Sequence, residues 1–300
     1  MTLKRRRRMV AGTAGVLLSS GMVAGHLASL ARGDEATGPL LIVNHLFDLT
    51  IVLGMLALAG AVGRLALRRA GVDLEQPLEA LTFGIAIGMG IIAAGVLLLG
   101  LVRALYTPVL MAWLGTLALV ARREVVGLGA LLRRAAGSLR RQAAGEPIAA
   151  VVALTALGVV AVFLVVMALA PPVDWDSLMY HLHIPAQFVQ HHRIFLPPDN
   201  LHTALVGLPH MLYVVFLAVG SPSGPALLSA ALALLLGLAV VSFGIRFFGK
   251  LSTMLSVTIL WGTTTILLVA TTARIDVTLA LYLFLAHHAL LVALSSTSRP

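Results

Sequence analysis

The sequence predicts an all-α, polytopic transmembrane helical bundle, and three observations carry that prediction. Hydrophobic residues fill 59% of the 300 positions, charged residues only 11%, and the mean hydropathy is +1.00; a soluble domain carries about 25% charged residues. Apolar runs of about 20 residues recur along the chain, long enough to cross a hydrocarbon core of about 30 Å. These runs are continuous in Leu, Ala and Val, without the alternation of a barrel strand, so lipid-embedded backbone must be satisfied within helices. The net charge of +9 does not point to nucleic acid, because the arginines sit in short segments between apolar runs, where they set topology. With no cysteine the chain has neither disulfide nor thiolate chemistry.

Taken in order, Lys4 and Arg5 to Arg8 form a basic cluster ahead of an apolar run over residues 9–31. A signal peptide has the same shape, but the length of the run and the spans that follow favour a retained first helix with a cytoplasmic N-terminus. Residues 40–67 return inward and end on Arg64, Arg68 and Arg69. Residues 79–101 go out, and 106–121 come back to Arg122 and Arg123. A basic segment up to Pro147 spaces Arg133, Arg134, Arg140 and Arg141 along an interfacial helix. Residues 148–170 then cross outward to a long polar segment, 171–225. Within it, 208–220 is apolar but too short to span and reads as interfacial or re-entrant. Residues 226–248 run inward to Arg246 and Lys250, 251–270 outward to Arg274 and Asp276, and 277–294 inward to Arg299. About eight spans result. Only Arg32, Arg103, Arg193 and Arg274 of the 21 basic residues then lie outside, as the positive-inside rule requires. Residues 1–147 thus form N-terminal transmembrane helices with a basic cytoplasmic loop, and 148–300 a second part built around the outer loop 171–225.

That loop is where chemistry is expected. It holds Asp174, Asp176 and Asp199, and six of the ten histidines: His181, His183, His191, His192, His202 and His210. The histidines lack the i, i+4 spacing of a helical zinc pair and read mostly as interfacial hydrogen-bonders. Asp174 and Asp176 form a D-x-D pair that could hold a divalent metal ion through hard oxygens, with loop solvation as the alternative. Asp276 sits in an apolar context, where an acid is costly to keep without purpose; it could hold a metal, bind an acceptor, or pair with Arg274. Asn44, His45 and Asp48 share one helical face near the start of the second span. The glycines of GIAIGMG (84–90) read as a close helix-packing surface.

Several motifs in fixed order (WDSLMYHLHIP at 175–185, HHRI at 191–194, PPDNLH at 197–202, GIRFFGK at 244–250 and ATTARIDVTLALYLF at 270–284) resemble the GT-C superfamily. These are integral-membrane glycosyltransferases, here most similar to bacterial relatives of protein O-mannosyltransferases and aminoarabinose transferases. The resemblance covers about residues 171–295. It implies transfer of a sugar from a polyprenyl-phosphate donor to a glycan, lipid or protein acceptor at the outer face of a bacterial cytoplasmic membrane. It further implies an essential acid in the first outer loop, matched by Asp176, and a second at the outer end of a later helix pair, matched by Asp276. Members of that superfamily are longer, so 148–300 is expected to correspond to part of their transferase core.

The reaction accounts for these residue types. A base must take the acceptor hydroxyl proton as that oxygen attacks the anomeric carbon, and partial desolvation at a bilayer edge makes a carboxylate more basic. Asp176 is the candidate base. The leaving group is a phosphate, so cations should stand near it: Arg193 and Arg274 flank the acids. His191, His192 and His202 could act as donors, His202 being the histidine that matches the resembled pattern. Tyr180 is a candidate substrate contact, although a tyrosine there more readily anchors at the interface. The rival reading is a non-catalytic multipass transporter or lipid-handling membrane subunit.

Overall fold

Helix starts follow the prolines. The computed structural model describes residues 39–143, 147–197 and 200–297. In it α1 (Pro39–Arg69), α2 (Pro77–Leu101) and α5 (Pro147–Leu169) open on a proline, and α3 (Thr107–Val120) and α8 (Gly224–Phe247) carry one at the second position. Proline suits these places because the N–H it lacks would have no partner in the first turn. The basic segment forms α4 (Arg122–Ala143). Between α5 and α8 the polar segment folds into a π-helical turn (Ser177–His181), α6 (His183–Gln190), a 3-10 turn (Leu201–Leu205) and α7 (His210–Ala218). The chain continues through α9 (Lys250–Gly262), α10 (Thr264–Ala270) and α11 (Asp276–Thr297). No strand occurs among the described residues.

Five helices, α1, α2, α5, α8 and α11, are long and apolar enough to cross a membrane; α9 and α10, bent by 65° at their break, make a sixth if the pair is one span. The bend falls at Thr263, whose backbone is extended. The expected span at 106–121 is α3, only 14 residues long, or about 21 Å at the helical rise. The remaining expected span, 9–31, lies outside the described residues, as do Lys4 to Arg8, Arg32, Asp199 and Arg299.

Side-chain contacts sort the helix ends into two sets. At one end, Glu124 of α4 takes Arg64 and Arg68 of α1, and Glu79 of α2 accepts two bonds of 3.0 Å from Arg246 of α8 and lies 3.2 Å from His288 of α11. Glu79 and His288 are buried, a position in which a charge must be paired. At the opposite end, the α2–α3 corner, the 171–223 segment and the α10–α11 turn meet. There the Leu105 N–H donates to the His192 carbonyl, the Ile194 N–H to that of Gly100, and Thr107 Oγ1 to that of Ala218. Among the described residues, the ends that the arginine pattern groups on one side (Leu101, Thr107, Leu169, Gly224, Ala270 and Asp276) fall in this second set.

Lipid offers no hydrophobic drive for helix pairing, so close backbone contact must supply it. The α1–α2 pair does this: a Cβ on Gly63 would collide with the Gly84 carbonyl, and one on Gly88 with that of Ala59. Two of the GIAIGMG glycines therefore serve packing, whereas a Cβ on Gly90 would only touch Tyr282 Oη, at 3.7 Å. Helix α4 lies across the first set of ends. Its Leu128 packs on Ala61 and Val62, and its Leu131 and Ala135 on Leu78 and Leu81. Helix α7 has only nine residues, and the seven from His210 to Phe216 are all buried. It is wrapped by α2, α6 and α8, so protein covers it, and at nine residues it is too short to span, as expected for 208–220. Helix α5 is the least enclosed span, with 11% of its apolar window buried.

Candidate functional site

Asp174 starts the site by starting a helix. Its Oδ1 accepts the Ser177 N–H at 3.0 Å, the usual way a short acidic side chain caps a first turn. The turn that follows projects Asp176, Tyr180 and His181. From a hundred residues on, the α10–α11 turn supplies Arg274, whose carbonyl accepts Tyr213 Oη at 2.8 Å. Its guanidinium bridges both acids, with Nε 3.2 Å from Asp174 Oδ1 and Nη2 2.7 Å from Asp176 Oδ2. Burial would raise the Asp174 carboxyl, but hydrogen bonds from Ser177 and the charge of Arg274 hold it below its ordinary range. Asp174 Oδ2 stays buried without a hydrogen-bond partner.

An aromatic ledge borders this cluster. Asn200 Oδ1 accepts the His202 N–H and its amide donates to the Met179 carbonyl, both at 3.0 Å, which sets His202 flat on Tyr180 at 5.3 Å between ring centroids. Trp175 stands edge-on to both rings and is 57% exposed. The Tyr180 phenol is pushed up by burial and by the Asp176 charge, which leaves it a neutral hydrogen-bonding group.

Behind the ledge is a buried histidine pair that sequence reasoning did not single out. His181 Nδ1 lies 2.7 Å from His210 Nε2, the rings are stacked, and both residues are buried. The Gly207 N–H donates to His210 Nδ1 at 3.0 Å, so His210 carries its proton on Nε2. That proton is donated to His181 Nδ1, and His181 in turn carries its proton on Nε2. Burial lowers His210 to about 3. It also lowers His181, against the opposing pull of Asp176 and Asp276. No spacing rule finds this pair, because its partners are 29 residues apart and come from a π-turn and a separate helix.

Asp276 lies at the same end of the bundle, near enough for its charge to act on Tyr180, His181 and Tyr213. It is exposed at the first position of α11 rather than buried among apolar groups, because the turn before it lifts it out of the span. An acid there is favoured by the helix dipole. Arg274 pairs with Asp174 and Asp176 instead, and no ion pair joins it to Asp276 among the described residues. His192 and Arg193 stand elsewhere. His192 takes a left-handed φ of 54° at the end of α6 and stacks on Tyr106 at 4.0 Å, while Arg193 lies over Phe195. Neither bonds to the acids among the described residues. Of the α1 residues, Asp48 is buried and accepts from Ser221 Oγ, tying α1 to the start of α8. The D-x-D pair does not fit a metal ion: Arg274 occupies the place between the carboxylates, and no group of three or more candidate ligands occurs among the described residues.

Together these features define an all-helical protein with at least five membrane-length helices and a charged, aromatic-lined cluster at one end. Comparison with protein-family models, with curated proteins and with solved structures finds no match in any of the three.

Proposed function

We propose that the chain is a GT-C-type membrane glycosyltransferase that takes a sugar from a polyprenyl-phosphate donor. The observation that carries the reading is the Asp174–Arg274–Asp176 cluster, assembled from segments a hundred residues apart beside the exposed Trp175 ring and the stacked Tyr180–His202 pair. Aromatic faces suit the apolar side of a sugar ring, carboxylates suit its hydroxyls, and a guanidinium suits phosphate bidentately. In this scheme the donor phosphate shares Arg274, loosening its hold on Asp176. The Asp176 carboxylate takes the acceptor hydroxyl proton, the acceptor oxygen bonds to the anomeric carbon, and the bond from that carbon to the phosphate oxygen breaks to release polyprenyl phosphate. Asp276 is assigned to the acceptor side. Tyr180 and His202 form the sugar platform. His192, stacked on Tyr106 at the α2–α3 corner, and Arg193, over Phe195, are assigned to holding the segment in place. The active end faces outward in the arginine-based topology.

One observation favours the rival transporter reading, the 65° break between α9 and α10, since transporters place binding sites at discontinuous helices. Asp176→Asn separates the two. A transferase loses transfer of radiolabelled sugar from a polyprenyl-phosphate donor by about 10²–10⁴-fold while retaining its helix content. Unchanged transfer by the variant would remove Asp176 from the mechanism.

A further inference from the structure

A second charged cluster lies at the opposite end of the bundle from the carboxylates. Arg133, Arg134 and Arg141 of α4 line a cleft of about 460 Å³, with Ala130, Gly137 and Pro77. Ala130, Gly137 and Arg141 follow one another at helical spacing, so the two small residues leave a depression between arginine side chains. Pro77, the first residue of α2, closes one side. All three arginines are exposed, and none makes a hydrogen bond or ion pair among the described residues. No acid lines the cleft among the described residues.

The placement narrows the ligand. Helix α4 crosses the ends of α1 and α2 with Leu128, Leu131 and Ala135 turned into the bundle. Other apolar residues of α4 face away from protein, with Val126 85% and Leu132 52% exposed. A helix that presents apolar groups and unpaired arginines together, at the mouth of membrane-length helices, sits where acyl chains meet headgroups. Long arginine side chains reach from that depth to the phosphate level.

We infer that this cleft binds the phosphate-bearing headgroup of an anionic phospholipid, held by Arg133, Arg134 and Arg141. The guanidinium forks match phosphate oxygens bidentately, and Val126, on the same helical face, lies against the chains. The site is separate from the proposed transferase centre and stands whether or not that reading does.

The test uses the full chain in phosphatidylcholine nanodiscs with and without phosphatidylglycerol, and native mass spectrometry to count lipids retained after release. Wild type should retain phosphatidylglycerol over phosphatidylcholine. Arg133→Gln/Arg134→Gln/Arg141→Gln should lose that preference, by about fivefold for each arginine, with unchanged helix content. Gly137→Leu keeps every charge but fills the cleft, and it should lose the preference too. Equal retention of both lipids by wild type would overturn the inference. So would a Gly137→Leu variant that behaves like wild type, which would indicate diffuse attraction to the basic helix. Inorganic phosphate is the third arm: if it displaces phosphatidylglycerol at low millimolar levels, the site is one for soluble phosphate compounds and the lipid assignment fails.

Discussion

Acid should loosen the segment between α5 and α8 through His210, and the size of the effect follows from its burial. The residue is fully buried and lowered from 6.5 to about 3. Between those values the unfolded chain holds the proton and the folded chain does not. The stability linked to His210 is therefore complete above about pH 6.5 and declines as pH falls toward 3. Each pH unit in that window removes about 1.4 kcal/mol, so two units remove about 3 kcal/mol. His181 faces His210 directly, with Tyr213 beside it, and the charges of Asp174, Asp176, Asp276 and Arg274 reach His181. His181 therefore adds to the same trend. Replacing His210 with Phe keeps the ring stacking but removes the titration. It leaves His181 Nδ1 and the Gly207 N–H without partners, which should cost about 1–3 kcal/mol at neutral pH. Denaturant titrations in detergent, followed by helix circular dichroism, should show wild type ahead at pH 7 and the gap closing about two units lower. Parallel pH dependences for the two proteins would refute the reasoning.

Two further outcomes are expected. Arg246→Gln strands Glu79 in the interior with only His288 beside it and should cost about 3 kcal/mol; Glu79→Gln/Arg246→Gln, which removes the charge as well as its partner, should recover part of that loss in the same denaturant assay. The chain has no cysteine, so single-cysteine variants report topology cleanly. Leu201→Cys in the 3-10 turn and Arg140→Cys on α4 are exposed positions at opposite ends, and an impermeant maleimide should label each from a different side of sealed vesicles.

What could be read without coordinates was whatever depends on length and composition. The runs at 40–67, 79–101, 148–170, 226–248 and 277–294 return as α1, α2, α5, α8 and α11 within a few residues, because an apolar stretch of bilayer length has no alternative to a helix. Helix α7 was harder: nine residues are too few to span, and the sequence does not say whether protein or lipid covers them. The answer lay in Tyr213 and His210 finding partners on the α10–α11 turn and the π-turn. The site divides the same way. Asp176 and Arg274 were visible as rare charges beside spans, but Arg274 could be paired with its neighbour Asp276 or with acids a hundred residues earlier. Sequence distance favours the neighbour. Geometry decides otherwise, because Asp276 opens α11 while Arg274 precedes it in the turn, and Tyr213 holds the Arg274 carbonyl so that the side chain reaches Asp174 and Asp176. The neutral histidine pair could not be read at all. Histidines are common in polar loops, and only the burial supplied by α7 turns two of them into a hydrogen-bonded unit whose state depends on pH.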